Sequence, residues 1–152
     1  MERRPRRVES GQRWKPVDAI DVVIVEDDRD LRDTMCELLV GRRMVVRAFA
    51  AVPEALDAIS ERMPDVVVTD LALPGRRGDE LASTLRMDRT TSHLVLIAVS
   101  GAVEPSWEIV RWFDAYLRKP ADIGFLGDLV ESLRESTRAA GDRARRRTPS
   151  SI

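Results

Sequence analysis

Short apolar runs and longer, periodically apolar segments take turns along this chain. The runs cover 20–25, 65–70, 94–99 and the briefer 115–117, and are rich in Val, Ile and Leu. Apolar runs of that length read as strands buried on both faces. Residues 44–49 alternate instead and read as an edge-like strand. Between the strands the period lengthens to that of a helix. Leu31, Met35, Leu38 and Leu39 mark one face of a first helix that ends near Gly41. Pro53 opens a second, striped by Leu56, Ile59 and Met63 and stopped at Pro64. Leu81 and Leu85 face inward from a third helix over 78–87, and 105–113 reads as a short fourth. Leu126, Leu129, Val130 and Leu133 stripe a last helix from Phe125 to about Thr137.

Strand and helix alternate five times, which predicts an α/β domain with a parallel sheet covered on both faces by right-handed crossovers. The strands that read as central end in polar residues: Asp27, Asp70, Ser100 and Lys119. In a parallel sheet those ends share one rim, and in open α/β sheets that rim is where ligands bind. Asp70 is the pivotal one. It closes the β-branched run Val66-Val67-Val68, and Leu73-Pro74-Gly75 then turns the chain away.

Glu26, Asp27, Asp28 and Asp70 would crowd negative charge at this rim, which is unfavourable without a cation. Oxygen ligands of this kind suit Mg²⁺ or Mn²⁺; Mg²⁺ keeps several waters and needs only one or two carboxylates. A carboxylate beside such an ion is a competent nucleophile toward phosphorus. The Lys119 ammonium and the Ser100 hydroxyl would stabilise the transferring group. Taken singly, Asp28 reads as a helix cap and Lys119 as a surface ion pair; four such residues at four strand ends read as a phosphoryl-acceptor site.

Composition bounds the rest. The chain has 152 residues, 43% of them hydrophobic, enough for one domain with a real core. No apolar run approaches ~18 residues, so no membrane span is expected. The Arg-rich N-terminus has no apolar segment behind it and does not read as a secretory signal. The single Cys36 forms no internal disulfide, fits a cytoplasmic location, and by its spacing from Met35 and Leu39 reads as a core thiol. No Cys/His cluster supports zinc. The net charge of -1 hides an asymmetry. Residues 1–18 carry six Lys/Arg against three Asp/Glu, and 138–152 carry five Arg against one Asp. The stretch between holds the remaining 14 basic and 22 acidic residues. Residues 1–18 thus read as a flexible basic arm, 19–138 as the domain and 139–152 as a flexible basic tail. Nucleic acid or acidic partners are possible only through those tails.

The motifs Val25-Glu26-Asp27-Asp28, Asp70-Leu-Ala-Leu-Pro-Gly75, Ser100-Gly101 and Tyr116-Leu-Arg-Lys119-Pro120, in that order, resemble the receiver domain of two-component response regulators, similar to the single-domain chemotaxis regulator. The resemblance covers roughly 19–137. It implies a flavodoxin-like fold with strand order 2-1-3-4-5. It implies Asp70 as phospho-acceptor, Asp27 as direct metal ligand, Glu26 as a second acid acting through water, and the Ala72 carbonyl as backbone ligand. Ser100 matches the hydroxyl that follows the phosphoryl group, Tyr116 the aromatic switch and Lys119 the site lysine, with Lys119-Pro120 a cis bond. The implied donor is a histidine kinase or histidine phosphotransfer protein, since the lone His93 precedes the fourth strand, away from the rim. A downstream partner is expected at helix four and strand five, with Ile109, Val110 and Phe113 inward and Trp107 and Trp112 at the edge of the buried face. The interval from Ser100 to Lys119 is about three residues shorter than is usual for such motifs. A haloacid-dehalogenase-type phosphatase would want a second acid at position 72, which is alanine. A dinucleotide-binding domain would want a glycine-rich loop where Glu26-Asp27-Asp28 stands. A receiver-like scaffold that works without phosphorylation is the remaining alternative.

Overall fold

The computed structural model describes residues 18–101 and 105–147. The basic arm up to residue 17 and the last residues of the tail, 148–152, lie outside the described residues. The elements run in order: β1 (Asp21–Val25), α1 (Arg29–Val40), β2 (Val45–Phe49), α2 (Val52–Glu61), β3 (Val66–Asp70), α3 (Gly78–Met87), β4 (Val95–Ser100), α4 (Trp107–Val110), β5 (Ala115–Arg118) and α5 (Leu126–Arg147), the last entered through a 3-10 turn at Ile123–Phe125. The five strands form one sheet in the order β2-β1-β3-β4-β5, all pairs parallel. This is the doubly wound α/β fold that the alternating pattern predicts.

Every residue of β1, β3 and β4 is buried, while β2 at the edge is half-buried throughout. The sheet therefore has an apolar cluster on each face. One joins Ile24, Met35, Leu39, Ile97, Leu126 and Val130, so α1 and α5 share that face. The other joins Val23, Ile59, Val67, Leu81, Leu85 and Leu96, with α2 and α3 above them. Burial of such side chains stabilises the fold by about 1.5–3 kcal/mol each relative to exposure. Among the described residues no helix is long and apolar enough to cross a membrane.

Four details correct the sequence-based expectations. Leu38 is exposed, because the buried stripe of α1 runs through Met35 and Leu39, with Leu31 and Cys36 half-buried against the same core. Met63 is exposed, since α2 ends at Glu61 and the residue before Pro64 is disfavoured from helical geometry. The fourth helix is one turn, not 105–113. Beyond Val110 the chain tightens to i→i+3 bonds, Trp112 N–H to Ile109 at 3.3 Å and Phe113 N–H to Val110 at 2.9 Å. Trp112 and Phe113 thereby swing onto the second apolar cluster. Last, α5 does not stop near Thr137. It continues to Arg147, so 139–147 is helix rather than flexible tail. Those residues are Ala- and Arg-rich, with high helix propensity, but carry no apolar period by which to read them.

Candidate functional site

The carboxyl ends of β1, β3, β4 and β5 converge. β1 leads into Glu26, whose N–H donates to Phe49 O at 3.0 Å and extends the ladder with β2 by one residue. Glu26 is therefore pulled fully inside, while Asp27 next to it is exposed. Asp28 caps α1, its Oδ1 accepting from Leu31 N–H at 3.1 Å, and Arg32 of that helix donates back to Glu26 O at 2.9 Å. The cap reading of Asp28 was the correct one.

Asp70 ends β3, buried, with its Oδ1 accepting from Ala72 N–H at 3.1 Å. The start of α3 presses on its backbone: a Cβ on Gly78 would collide with the Asp70 carbonyl oxygen, so only glycine fits there. Ser100 ends β4, also buried. Its carbonyl accepts from Lys119 N–H at 2.9 Å and, at a longer 3.4 Å, from the Tyr116 hydroxyl. The Lys119-Pro120 bond is cis.

Lys119 joins the two buried acids. Its Nζ lies 2.8 Å and 2.9 Å from the two carboxylate oxygens of Glu26 and 2.9 Å from Asp70 Oδ2. Charge-assisted bonds of that length fix the ammonium firmly. Burial alone would lower the pKa of Lys119, but its bonds to Glu26 and Asp70 outweigh it and hold the ammonium above its usual value. Burial pushes Glu26 up to about 7 despite the Lys119 bond, and the nearby Asp70 adds to the rise. Carboxylate oxygens of Glu26, Asp27 and Asp70 come within 4.8 Å of one another. Three carboxylates against one ammonium leave the rim short of positive charge. An all-oxygen donor set with that deficit fits a hard divalent cation such as Mg²⁺. An open cleft of about 620 Å³ adjoins the site, lined by Asp27, Ala72, Pro74, Arg77, Ser100 and Ile109.

All of Glu26, Asp27, Asp70, Ala72, Ser100 and Lys119 thus meet at one rim, with Tyr116 one bond behind Ser100. His93 is exposed in the turn before β4. The sequence brings Lys119 and Glu26 to one rim but does not pair them; the pairing follows from the burial of Glu26, which points its carboxylate inward to the ammonium. Also unforeseen was a second ionic cluster at the opposite rim. There Asp21, 1% exposed, meets Arg47 at 3.2 Å and Arg62 at 3.1 Å, and its N–H donates to Asp65 at 2.8 Å. Arg134 of α5 pairs with Asp65 at 3.1 Å. An aspartate inside the first apolar stretch was the available signal, since a buried charge needs partners.

Residues 22–131 match the family described as response regulator receiver domain. A putative transcriptional regulator of Haloferax volcanii is 35% identical over 113 residues, which are 74% of this chain and 19% of that protein. The DNA-binding response regulator MtrA of Mycobacterium tuberculosis is 29% identical over 99 residues, 65% of this chain and 43% of that protein. The chain thus spans from about a fifth to under half the length of these curated relatives. Among solved structures, a CheY-like receiver domain from Methylobacillus flagellatus superposes with a TM-score of 0.69 at 33% identity, covering 76% of this chain and 98% of that one. The chemotaxis regulator CheY4 of Vibrio cholerae gives 0.67 at 20% identity, over 78% of this chain and 98% of that one, a likeness of fold.

Proposed function

The chain belongs to the response regulator receiver domain family, and from that premise we propose that it is a phospho-acceptor signalling module whose acceptor is Asp70. Receiver domains of two-component systems are signalling modules rather than enzymes in the ordinary sense, and they interact with histidine kinases and downstream effectors. The observation that carries the assignment to Asp70 is the Lys119 ammonium, held 2.9 Å from Asp70 Oδ2, next to a cleft lined by Asp27, Ala72 and Ser100.

In the proposed reaction an Asp70 carboxylate oxygen attacks the phosphorus of a phosphohistidine on a partner kinase or phosphotransfer protein. The P–O bond forms as the P–N bond breaks, and the imidazole leaves with the electron pair. Lys119 stays beside the acceptor and neutralises charge on the phosphoryl oxygens. Glu26, Asp27 and Asp70, with the Ala72 carbonyl, fit as ligands for Mg²⁺ or Mn²⁺, which when bound would screen the acids from one another and draw charge from the phosphoryl group. The backbone N–H of Ala72 holds the carboxylate in place through Oδ1.

Ser100 and Tyr116 are proposed to report the change. The Ser100 hydroxyl follows the phosphoryl group, and the Tyr116 hydroxyl already sits against the Ser100 carbonyl. Tyr116 belongs to β5, next to the α4 segment, where Trp107 is 73% exposed. Arg111 lies over both indoles there, 5.7 Å from the Trp107 centroid and 4.5 Å from that of Trp112. A downstream protein partner is assigned to this face, since aromatic and Arg side chains are favoured interface anchors. A kinase donor places the module in the cytoplasm.

Intact mass after incubation with acetyl phosphate and Mg²⁺ tests the central step. The expected gain is one phosphoryl group, lost in Asp70→Asn and in chelator. Persistence of the gain in either condition overturns the assignment.

A further inference from the structure

We propose that the arginine-rich end of α5 is a nucleic-acid-binding element, docking the pole of the domain opposite Asp70 on a phosphate backbone. α5 descends along the sheet and passes the amino-terminal strand ends at Arg134, whose guanidinium pairs with Asp65 just ahead of β3. The helix then runs on for thirteen residues to Arg147, a projection of about 20 Å at 1.5 Å per residue. From Arg138 onward every residue is exposed. This stretch carries five Arg and one Asp. Among the described residues, no ion pair or hydrogen bond holds the side chains of Arg138, Arg143, Arg146 or Arg147, so their charge faces outward.

The placement of those charges matters. At 100° per residue, Arg138, Arg143, Arg146 and Arg147 share about half the helix circumference with Ala139 and Asp142, and Ala140, Gly141, Ala144 and Arg145 take the other half. The chain enters β1 at the same pole. Asp18 and Ile20 line one open cleft with Arg43 and with Glu131 of α5. The described residues are electrically bipolar: an acid rim lies at the carboxyl ends of the strands, and the basic end of α5 projects past the amino ends.

Phosphate is the ligand chemistry that fits. Arg forks match phosphate oxygens bidentately and are the residue of choice for nucleic-acid recognition. A membrane surface fits poorly, because the projecting turns carry no Trp, Phe or Leu to enter the interface. A protein groove fits poorly for the same lack of an apolar anchor. Nothing in the segment offers Asn or Gln for reading base edges. The binding is therefore to the backbone, sequence-tolerant and governed by counterion release.

The test titrates the full chain into a fluorescently labelled mixed-sequence DNA duplex at several KCl concentrations. Binding is expected at low salt, with log affinity falling against log salt at a slope of about -4. Arg143→Gln with Arg146→Gln and Arg147→Gln keeps helix propensity but removes three charges. It should lose at least about tenfold in affinity and flatten the slope by about 3. The corresponding Lys variant should keep the slope, and Asp70→Asn should bind like the parent chain. Circular dichroism of the variants should match the parent. No binding at low salt overturns the proposal, as does an unchanged affinity and slope in the Gln variant. Equal or tighter binding to phosphatidylserine vesicles or to polyglutamate overturns it in favour of a membrane or an acidic protein.

Discussion

The two rims of the sheet hold ionic clusters of opposite design. At the amino ends of the strands, the buried Asp21 and the half-buried Asp65 face three guanidiniums, Arg47, Arg62 and Arg134. At the carboxyl ends, Glu26, Asp27 and Asp70 face one ammonium, Lys119. Both use the same chemistry of carboxylate and cation. The first is compensated within the chain and ties β1, β2, α2, β3 and α5 together, since Arg47 also donates to Ala58 O and Arg62 O, each at 2.9 Å. The second leaves a deficit of positive charge next to an exposed aspartate and an open cleft. In the first cluster guanidiniums outnumber carboxylates, so it has no charge deficit for a cation to fill, although Asp21 Oδ2 and guanidinium nitrogens of Arg47, Arg62 and Arg134 make no hydrogen bond. The second retains affinity for a cation. The difference lies in the count and access of charges, not in how polar each rim is.

The largest expected effect tests the compensated rim. Asp21→Ala takes the buried carboxylate partner from the half-buried Arg47 and Arg62. Breaking a fully buried pair from one side costs about 3–5 kcal/mol, and this pair should lose up to about 3 kcal/mol. Urea denaturation should show that loss. Asp70→Asn, at the other rim, removes one of several like charges, so stability should change by under about 1 kcal/mol, or rise. If both variants lose the same stability, the contrast between the rims is wrong.

A second effect concerns pH, measured with chelator present. The Glu26 carboxyl is raised from 4.5 to about 7 by burial. Below pH 4.5 it is protonated folded or unfolded. Between there and about 7 only the unfolded chain releases the proton, so stability falls as pH rises. The full penalty, on the order of 3 kcal/mol, is reached above about pH 7. Glu26→Gln should flatten this slope. A parent chain equally stable at pH 5 and 8 would contradict the burial argument. Adding Mg²⁺ at pH 8 should restore stability, by about 2.7 kcal/mol at a hundred times Kd, and Asp27→Asn should remove that gain.

The under-compensated rim was legible in the sequence because each member ends an apolar strand, and parallel strands bring their ends together whatever their separation along the chain. The strand order and the cis Lys119-Pro120 bond followed from motif resemblance and stand in the structure. The compensated rim was not legible. Its arginines lie in an edge strand, at a helix terminus and in the middle of α5, and read locally as solvated charges. Helix ends were misjudged for related reasons. Nothing local marks the turn at which Trp112 and Phe113 leave the α4 axis for the second apolar cluster, and the exposed end of α5 carries propensity without periodicity.

The smallest expected effect asks whether the two rims are coupled to the α4 face unequally. Tyr116 touches Ser100 through one 3.4 Å bond, and β5 carries it beside the segment in which Arg111 stacks on Trp107 and Trp112. A cation over an aromatic face is worth about 0.5–1 kcal/mol at exposed sites, so this stack is easily re-formed in another arrangement. Arg86 braces the base of the same segment, donating to Trp112 O at 3.0 Å and to Asp114 at 2.8 Å. A shift of Tyr116 should therefore change the indoles' surroundings without unfolding the segment. In a Trp14→Phe background, which leaves only Trp107 and Trp112, beryllofluoride with Mg²⁺ should change tryptophan emission. Ser100→Ala should reduce that change while still accepting phosphate. Arg134→Ala, which loosens the compensated rim, should leave the emission response intact after its stability loss is allowed for. A response that survives Ser100→Ala but vanishes in Arg134→Ala would mean that the α4 face is coupled to the amino-terminal rim instead.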